Sequence, residues 1–303
     1  MNCILGGGIA GLIFAFYNHN FKILTPQKGG QFSSDFPLGA RYMHVNQNNA
    51  KLLKDLNMNV PKKIIKVGYG EIANDNFFEV LKVDDNFRKN YYLKSRDEKS
   101  LSGFNETVMN SNHSEFECFD VDFGVLIETL TEAVKDRIII EKVTEIDFVN
   151  DQVIINQKYL ADKVVSTIPL PLLCRLTDLL KVFSSEFKSK DMSYYWFANK
   201  KNDYKQNFVY IGGDYPAHRI TFYENGACCD VIGNKKFSKK QFGWTKKIKV
   251  PRNQIVESGW ESHLVALLKA VFHIDCTGRY GSWDRKIKIE DNVKFALEYE
   301  KNE

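Results

Sequence analysis

Asn2-Cys3-Ile4-Leu5-Gly6-Gly7-Gly8-Ile9-Ala10-Gly11 is the stretch that decides the fold. An apolar run of strand length enters a glycine cluster, and Leu12 to Tyr17 follows as an apolar stretch of good helix content. A second apolar run, Phe21-Lys22-Ile23-Leu24, comes next, which predicts strand, turn, helix and strand in immediate succession. In that setting the spacing Gly6-x-Gly8-x-x-Gly11 has a mechanical meaning. Glycine at the first position permits the tight turn, at the second lets backbone approach a pyrophosphate, and at the third lets helix pack on strand. The unpaired N–H groups and positive end of the helix then face the anion. The expectation is a dinucleotide-binding βαβ unit that includes Ile9 and Ala10 at the helix start.

One element departs from that pattern. The second strand is expected to end in Asp or Glu, which holds a ribose hydroxyl. Here it ends in Thr25, followed by Pro26-Gln27-Lys28. Thr25 or Gln27 is left to make that contact, without the charge.

Outward from this segment, the chain of 303 residues suits one large domain or two modest ones. With 44% hydrophobic and 26% charged residues it is globular rather than disordered. No apolar run reaches the roughly 18–20 residues of a membrane span. A net charge of +4 from 42 basic and 38 acidic residues neither requires nor excludes nucleic acid. The six cysteines form no CxxC pair and no disulfide framework, which suits a reducing compartment, and a cytoplasmic location is expected. Metal hydrolysis and P-loop phosphoryl transfer lack their motifs.

Further motifs lie far apart along the chain. Gly29-Gly30 follows the second strand, and then comes Leu38-Gly39-Ala40-Arg41-Tyr42-Met43-His44. Later come Ile138-Ile139-Ile140, Val143-Thr144-Glu145-Ile146, and Asp162-Lys163-Val164-Val165-Ser166-Thr167-Ile168-Pro169. Near the end stand Gly278-Arg279-Tyr280-Gly281-Ser282-Trp283 and Glu290-Asp291-Asn292-Val293. In this order the set resembles the FAD-binding superfamily of amine oxidases, protoporphyrinogen oxidase and UDP-galactopyranose mutase. The resemblance implies FAD as cofactor. It places Gly29 and Gly30 along the dinucleotide, Gly39, Ala40 and Arg41 beside the isoalloxazine, and the Val143 backbone at adenine. It puts Thr167 on a later strand-and-turn of the cofactor domain, and Gly278 and Arg279 at the pyrophosphate. It places Trp283 in the same motif and Asp291, Asn292 and Val293 at a helix start facing the flavin.

The fold class that follows is α/β, a Rossmann-like FAD-binding domain with an interleaved α+β substrate domain built on an antiparallel sheet. The resemblance divides the chain into 1–50, 125–175 and 265–303 for FAD, with 51–124 and 176–264 for substrate. Periodicity predicts helices over 121–134 and 261–272, and strands at Tyr91-Tyr92-Leu93, Tyr194–Phe197 and Phe208–Ile211.

Candidate catalytic residues are His44, Arg41 and Arg219. His44 is read either as an acid/base near pH 7 or as a core histidine bonded to backbone. Arg219, in Pro216-Ala217-His218-Arg219-Ile220, fits the position of a substrate-pyrophosphate arginine in the mutase branch; the alternative is an arginine paired with a nearby carboxylate. The basic run Lys235–Lys240 reads as a solvated loop or as a contact to a phosphate-rich partner. The expected activity is hydride transfer from a small-molecule substrate to flavin. The alternatives are a non-redox flavoenzyme of mutase type, a flavoenzyme acting on a modified nucleotide or base, and an inactive dinucleotide-binding protein.

Overall fold

The computed structural model describes residues 1–30, 42–73, 76–79, 83–84, 86–87, 90–91, 94, 115–150, 152–182, 187–198, 206–213, 215, 217–233, 243–256 and 260–299. Gly39, Ala40, Arg41 and the Lys235–Lys240 run lie outside them.

The opening segment folds as its glycine spacing predicts. Strand β1 (Asn2–Leu5) leads through the glycines into helix α1 (Ile9–Tyr17) and strand β2 (Phe21–Thr25). Helix α2 (Gln47–Asp55) follows strand β3 (Met43–His44), with the Asn46 side chain accepting from the Asn49 N–H at its start. Later in the chain come helix α3 (Phe123–Ala133), strand β7 (Ile138–Ile140) and strand β11 (Lys163–Ser166). Helices α4 (Leu170–Leu176), α5 (Leu179–Val182) and α6 (Glu261–Phe272) lead to strand β17 (Ile274–Cys276), short helix α7 (Gly278–Gly281) and helix α8 (Ile289–Glu298).

Strands β7, β2, β1, β11 and β17 form one parallel sheet in that spatial order. These strands are apolar on both sides, as a parallel sheet covered on two faces requires. Ile4, Ile23 and Val165 pack into one core with α1, α3 and α8, whereas Cys3, Leu5, Leu24 and Val164 pack into another with α4 and α6. The order reverses at β1: the chain moves to β2 on one side and β11 occupies the other. In open α/β sheets that crevice, at the carboxyl ends of the strands, is where ligands bind.

Strands β8 (Ile146–Val149), β9 (Gln152–Ile155) and β10 (Tyr159–Ala161) make a small antiparallel sheet. A nine-stranded sheet contains β3, β4 (Lys62–Ala73), β5 (Asn76–Glu79), β6 (Glu115–Phe119), β12 (Lys188–Ala198), β13 (Phe208–Ile211), β14 (Ala217–Tyr223), β15 (Gly226–Ile232) and β16 (Lys246–Val256). It is mixed rather than antiparallel throughout, because β13 and β4 pair in parallel. The long β4 lies in a lysine-rich segment whose polarity masks its period; its outer residues Lys62, Lys63 and Lys66 are exposed while Ile65 is fully buried.

The strand expected at Tyr91-Tyr92-Leu93 is corrected: Asn90, Tyr91 and Lys94 are helical, with Tyr92 and Leu93 outside the described residues. Aromatic strand preference yields to tertiary packing here. Helical spacing puts Phe87, Tyr91 and Lys94 on one face, against the turn between β13 and β14. A Cβ on Gly212 would lie 2.2 Å from the Phe87 ring, and Lys94 donates to three carbonyls of that turn.

Candidate functional site

The glycines of the first turn meet different demands. Gly6 sits at φ +107, where a side chain is strained, and its N–H donates to the Leu24 carbonyl at 2.9 Å. A Cβ on Gly11 would meet the Gly6 carbonyl oxygen at 2.1 Å, so α1 approaches the turn only with glycine there. A Cβ on Gly8 would meet nothing within 4 Å. The space over Gly8 is open, and the first N–H groups of α1, at Ile9, Ala10 and Gly11, have no intrahelical partner.

The other end of the chain closes on this loop. Thr167 follows β11, and its hydroxyl donates to the Leu5 and Gly6 carbonyls at 3.0 and 3.2 Å. The Thr277 N–H donates to the Ser166 carbonyl, which brings the start of α7 to the crevice. Gly278, at φ +80, lies so close to α1 that a Cβ there would be 2.8 Å from the Ala10 Cβ. Arg279 is exposed beside it and makes no ion pair among the described residues. The expected dinucleotide-binding segments, some 270 residues apart, therefore share one crevice at the point where the strand order reverses.

The remaining predicted residues fall into three groups. Gly29 and Gly30 stay with the loop: the Gly29 N–H donates to the Gly7 carbonyl, and a Cβ on Gly30 would be 3.2 Å from Gly8 Cα. Thr25 is buried, and its hydroxyl is spent on the Gln27 carbonyl at 2.6 Å, which leaves the exposed Gln27 as the polar side chain at the end of β2. Val143, Trp283 and Val293 turn their side chains into the cores. Trp283 holds the left-handed position after α7 at φ +53, packed near Phe187, with its buried indole N–H unpaired.

Helix α8 begins as expected near Glu290–Asn292. The Asp291 carboxylate accepts from the Lys288 N–H at 2.8 Å and so caps its own helix. Asn292 donates to the Lys288 carbonyl and keeps its buried side-chain oxygen unpaired. Asn49 ties this end to β3, donating to the His44 carbonyl at 2.9 Å and to the Glu290 carboxylate at 3.3 Å. The His44 ring lies against Phe116 at 5.1 Å and makes no hydrogen bond among the described residues. Burial, then the Lys288 charge, lowers its pKa against the opposing pull of Glu290, so the imidazole is neutral at pH 7.

From His44 an aromatic surface runs onto the nine-stranded sheet. Phe116 meets Tyr42, and Tyr42 stacks on Phe208 at 5.5 Å. The registers then set Tyr69, Tyr210, Arg219, Asp230 and Tyr194 in one row across β4, β13, β14, β15 and β12, on the same face. Sequence reasoning found Arg219 but not its partner. Asp230 is fully buried and forms an ion pair with the guanidinium, whose side chain is 21% exposed. Burial works against the charge of Arg219, and Asp230 with the surrounding tyrosines more than offsets it. Burial, reinforced by Arg219 and Lys94, keeps His218 neutral, and its Nδ1 lies 3.4 Å from the Tyr91 hydroxyl. Tyr42, Tyr91 and Tyr210 are held protonated by burial.

Open recesses are present as well, one of them bordered by Gly29 of the loop. One of about 500 Å³ lies between Thr144–Phe148 and Arg175–Asp178, and one of about 460 Å³ between Lys28–Gly29 and α3. Among the described residues no metal-binding cluster of His, Cys, Asp or Glu occurs, and no helix is long and apolar enough to cross a membrane.

No family model matches the sequence, and no curated protein matches it. Solved structures do. A reduced UDP-galactopyranose mutase superposes with a TM-score of 0.72 at 10% identity, covering 99% of this chain and 95% of that one. A CLA-producing fatty acid isomerase from P. acnes gives 0.67 at 12% identity, covering 99% and 98%. Putrescine oxidase, in a variant redesigned for cofactor binding, gives 0.62 at 10% identity over 99% and 98%. The protein has the fold these enzymes share, the one its dispersed motifs resemble.

Proposed function

We propose that the protein binds FAD in the crevice between the Gly6–Gly11 loop and the Gly278 turn, and oxidises a small molecule held against the aromatic face that carries Arg219. The observation that supports this reading above all is the contact of Gly278 with Ala10 beside the open Gly8. A glycine cradle left unfilled at a helix start, with an uncommitted arginine next to it, fits a pyrophosphate. In this reading segments 1–50, 125–175 and 265–303 hold the cofactor, and segments 51–124 and 176–264 the substrate.

The residues then take the following roles. The N–H groups at the start of α1 and the Arg279 guanidinium hold the pyrophosphate. Gln27 reaches the ribose that an acid would otherwise hold, and Val143 offers its backbone to adenine. The positive end of α8 favours negative charge on the flavin, moderated by Asp291, which already occupies part of that end. FAD supplies a hydride acceptor when bound. The chain excludes water with Tyr42, Phe116, Phe208 and Tyr210, and the neutral His44 imidazole is placed to take a proton. Tyrosine hydroxyls and the neutral Arg219–Asp230 pair orient the substrate.

Purified protein tests this directly. It should be yellow, and denaturation should release FAD identifiable by its absorbance and chromatography. Colourless protein that takes up no added FAD would end the reading. A second reading is a mutase-type reaction on a nucleotide sugar, favoured by the tyrosine-ringed Arg219. It requires activity only after flavin reduction, without net electron consumption. Arg219→Lys, which keeps the charge opposite Asp230, should then weaken nucleotide-sugar binding tenfold or more.

A further inference from the structure

The aromatic face that carries Arg219 holds many ionisable groups, and their charges cancel. Arg219 and Asp230 stand opposite each other on β14 and β15 and are ion-paired. Asp230 is fully buried, so opening the pair strands a carboxylate away from water. Burial opposes the charge of Arg219, and Asp230 more than restores it, so the guanidinium keeps its proton with a counter-charge beside it.

Lys94 and Glu71 balance each other at the β13–β14 turn. Lys94 donates to three carbonyls there, and the Glu71 carboxylate lies 3.9 Å from where a Gly213 Cβ would be. At the other end of the face the Lys288 ammonium is 3.9 Å from the Glu290 carboxylate. Between them, burial keeps Tyr42, Tyr91, Tyr210 and Tyr223 protonated, and burial keeps His44 and His218 neutral.

Two buried polar atoms in this setting lack partners. Arg219 Nε and Thr221 Oγ1 make no hydrogen bond among the described residues. Residues two apart on a strand share a face, so both belong to one side of β14, about 7 Å apart along it. A buried N–H without an acceptor is costly, and an uncharged carbonyl or hydroxyl oxygen satisfies it without disturbing the pair. An anion would instead compete with Asp230 for the guanidinium, and an amine would compete with Arg219 for the carboxylate. The stacked rings of Tyr42 and Phe208 offer flat apolar contact, which suits a ring.

We propose that Asp230 is a specificity-determining residue: by cancelling Arg219 it makes this face a site for an uncharged ring bearing hydroxyl or carbonyl oxygens, and closes it to phosphorylated, carboxylate and amine substrates. The proposal rests on the reading that substrate occupies this face, and it counts against the nucleotide-sugar alternative.

The test titrates uridine and uridine diphosphate, which differ by the diphosphate, into the FAD-loaded full chain by calorimetry. FAD keeps the diphosphate out of the Gly8 crevice. Wild type should bind UDP no tighter than uridine. Asp230→Asn uncovers the guanidinium, and its UDP affinity should rise about tenfold or more over wild type. Arg219→Gln combined with Asp230→Asn removes both charges together, which a buried pair tolerates better than the loss of one, so it serves if the single variant does not fold. Its UDP affinity should match wild type. A wild-type preference for UDP of about tenfold overturns the proposal, as does an unchanged UDP affinity in folded Asp230→Asn or a tenfold fall in the double variant. A chain that takes up no FAD overturns the cofactor reading instead. The comparison of Asp230→Asn with wild type then still decides this proposal, because the crevice is the same in both.

Discussion

At the scale of single residues, the glycines separate a structural requirement from a binding one. Gly8 has φ −76 and open space around its missing Cβ, so the fold has no need of glycine there. Gly8→Ala is therefore expected to change stability by no more than about 0.5 kcal/mol, yet to fill the approach to the ligand. Thermal melts with and without FAD check this: an unchanged melt without FAD, and a lost shift with it. Gly278→Ala should behave oppositely, since φ +80 and the 2.8 Å approach to Ala10 strain any side chain; a cost of about 1–3 kcal/mol without ligand is expected. His44 supplies a pH test. Its folded pKa is lowered, chiefly by burial, so the unfolded chain binds its proton more readily. Stability is then complete above the unfolded value near ~6.5 and falls as pH drops below it. His218 acts in the same direction. Substitution of both by Gln should flatten the acid side of a stability-against-pH curve between about pH 6.5 and 5.

At the scale of elements, the placement of Arg219 depends on the β13–β14 turn. The register shifts between Ala217 and Arg219, which leaves His218 as an extra residue and sets Arg219 opposite Asp230. Lys94 closes that turn from outside, donating to the carbonyls of Ile211, Gly212 and Ala217 at 2.9, 2.7 and 3.0 Å. Lys94→Met removes three charge-assisted bonds and is expected to lower the melting temperature, with loosened amide-exchange protection concentrated in 208–223. Uniform loss of protection instead would show that Lys94 has no special hold on the turn. Asp230→Asn leaves the guanidinium without its counter-charge, and a loss of about 3–5 kcal/mol in urea unfolding is expected. A loss below ~1 kcal/mol would mean that the pair is solvated well enough to matter little.

At the scale of the whole molecule, the crevice joins the start of the chain to its last helices, so a ligand lying across it couples them. Saturation with FAD at a hundredfold over its Kd should raise stability by about 2.7 kcal/mol. Protection from proteolysis should appear at residues 278–299 as well as at 1–30; protection confined to one of them would argue against a shared crevice.

The local chemistry was legible from the chain alone. Glycine spacing and the apolar runs around it specify the first βαβ unit because each need there is met within a few residues. The periods over 121–134 and 261–272 likewise read true as α3 and α6, and α8 starts where its residues suggested. Other features depend on partners distant in sequence. The lysines of β4 conceal a strand whose buried side is set by β6 and β13, and Tyr91 became helical because the β13–β14 turn offered a surface for that face. Asp230 carries no local signature: it is a carboxylate inside an ordinary strand. Its role arises when the register brings Arg219 to it. Sequence by itself determined that this protein has a glycine-turn nucleotide fold, since backbone sterics near one turn are short-range. The tertiary structure decided which cations stay free to meet a ligand, because pairing and burial depend on strand neighbours that the linear order does not contain.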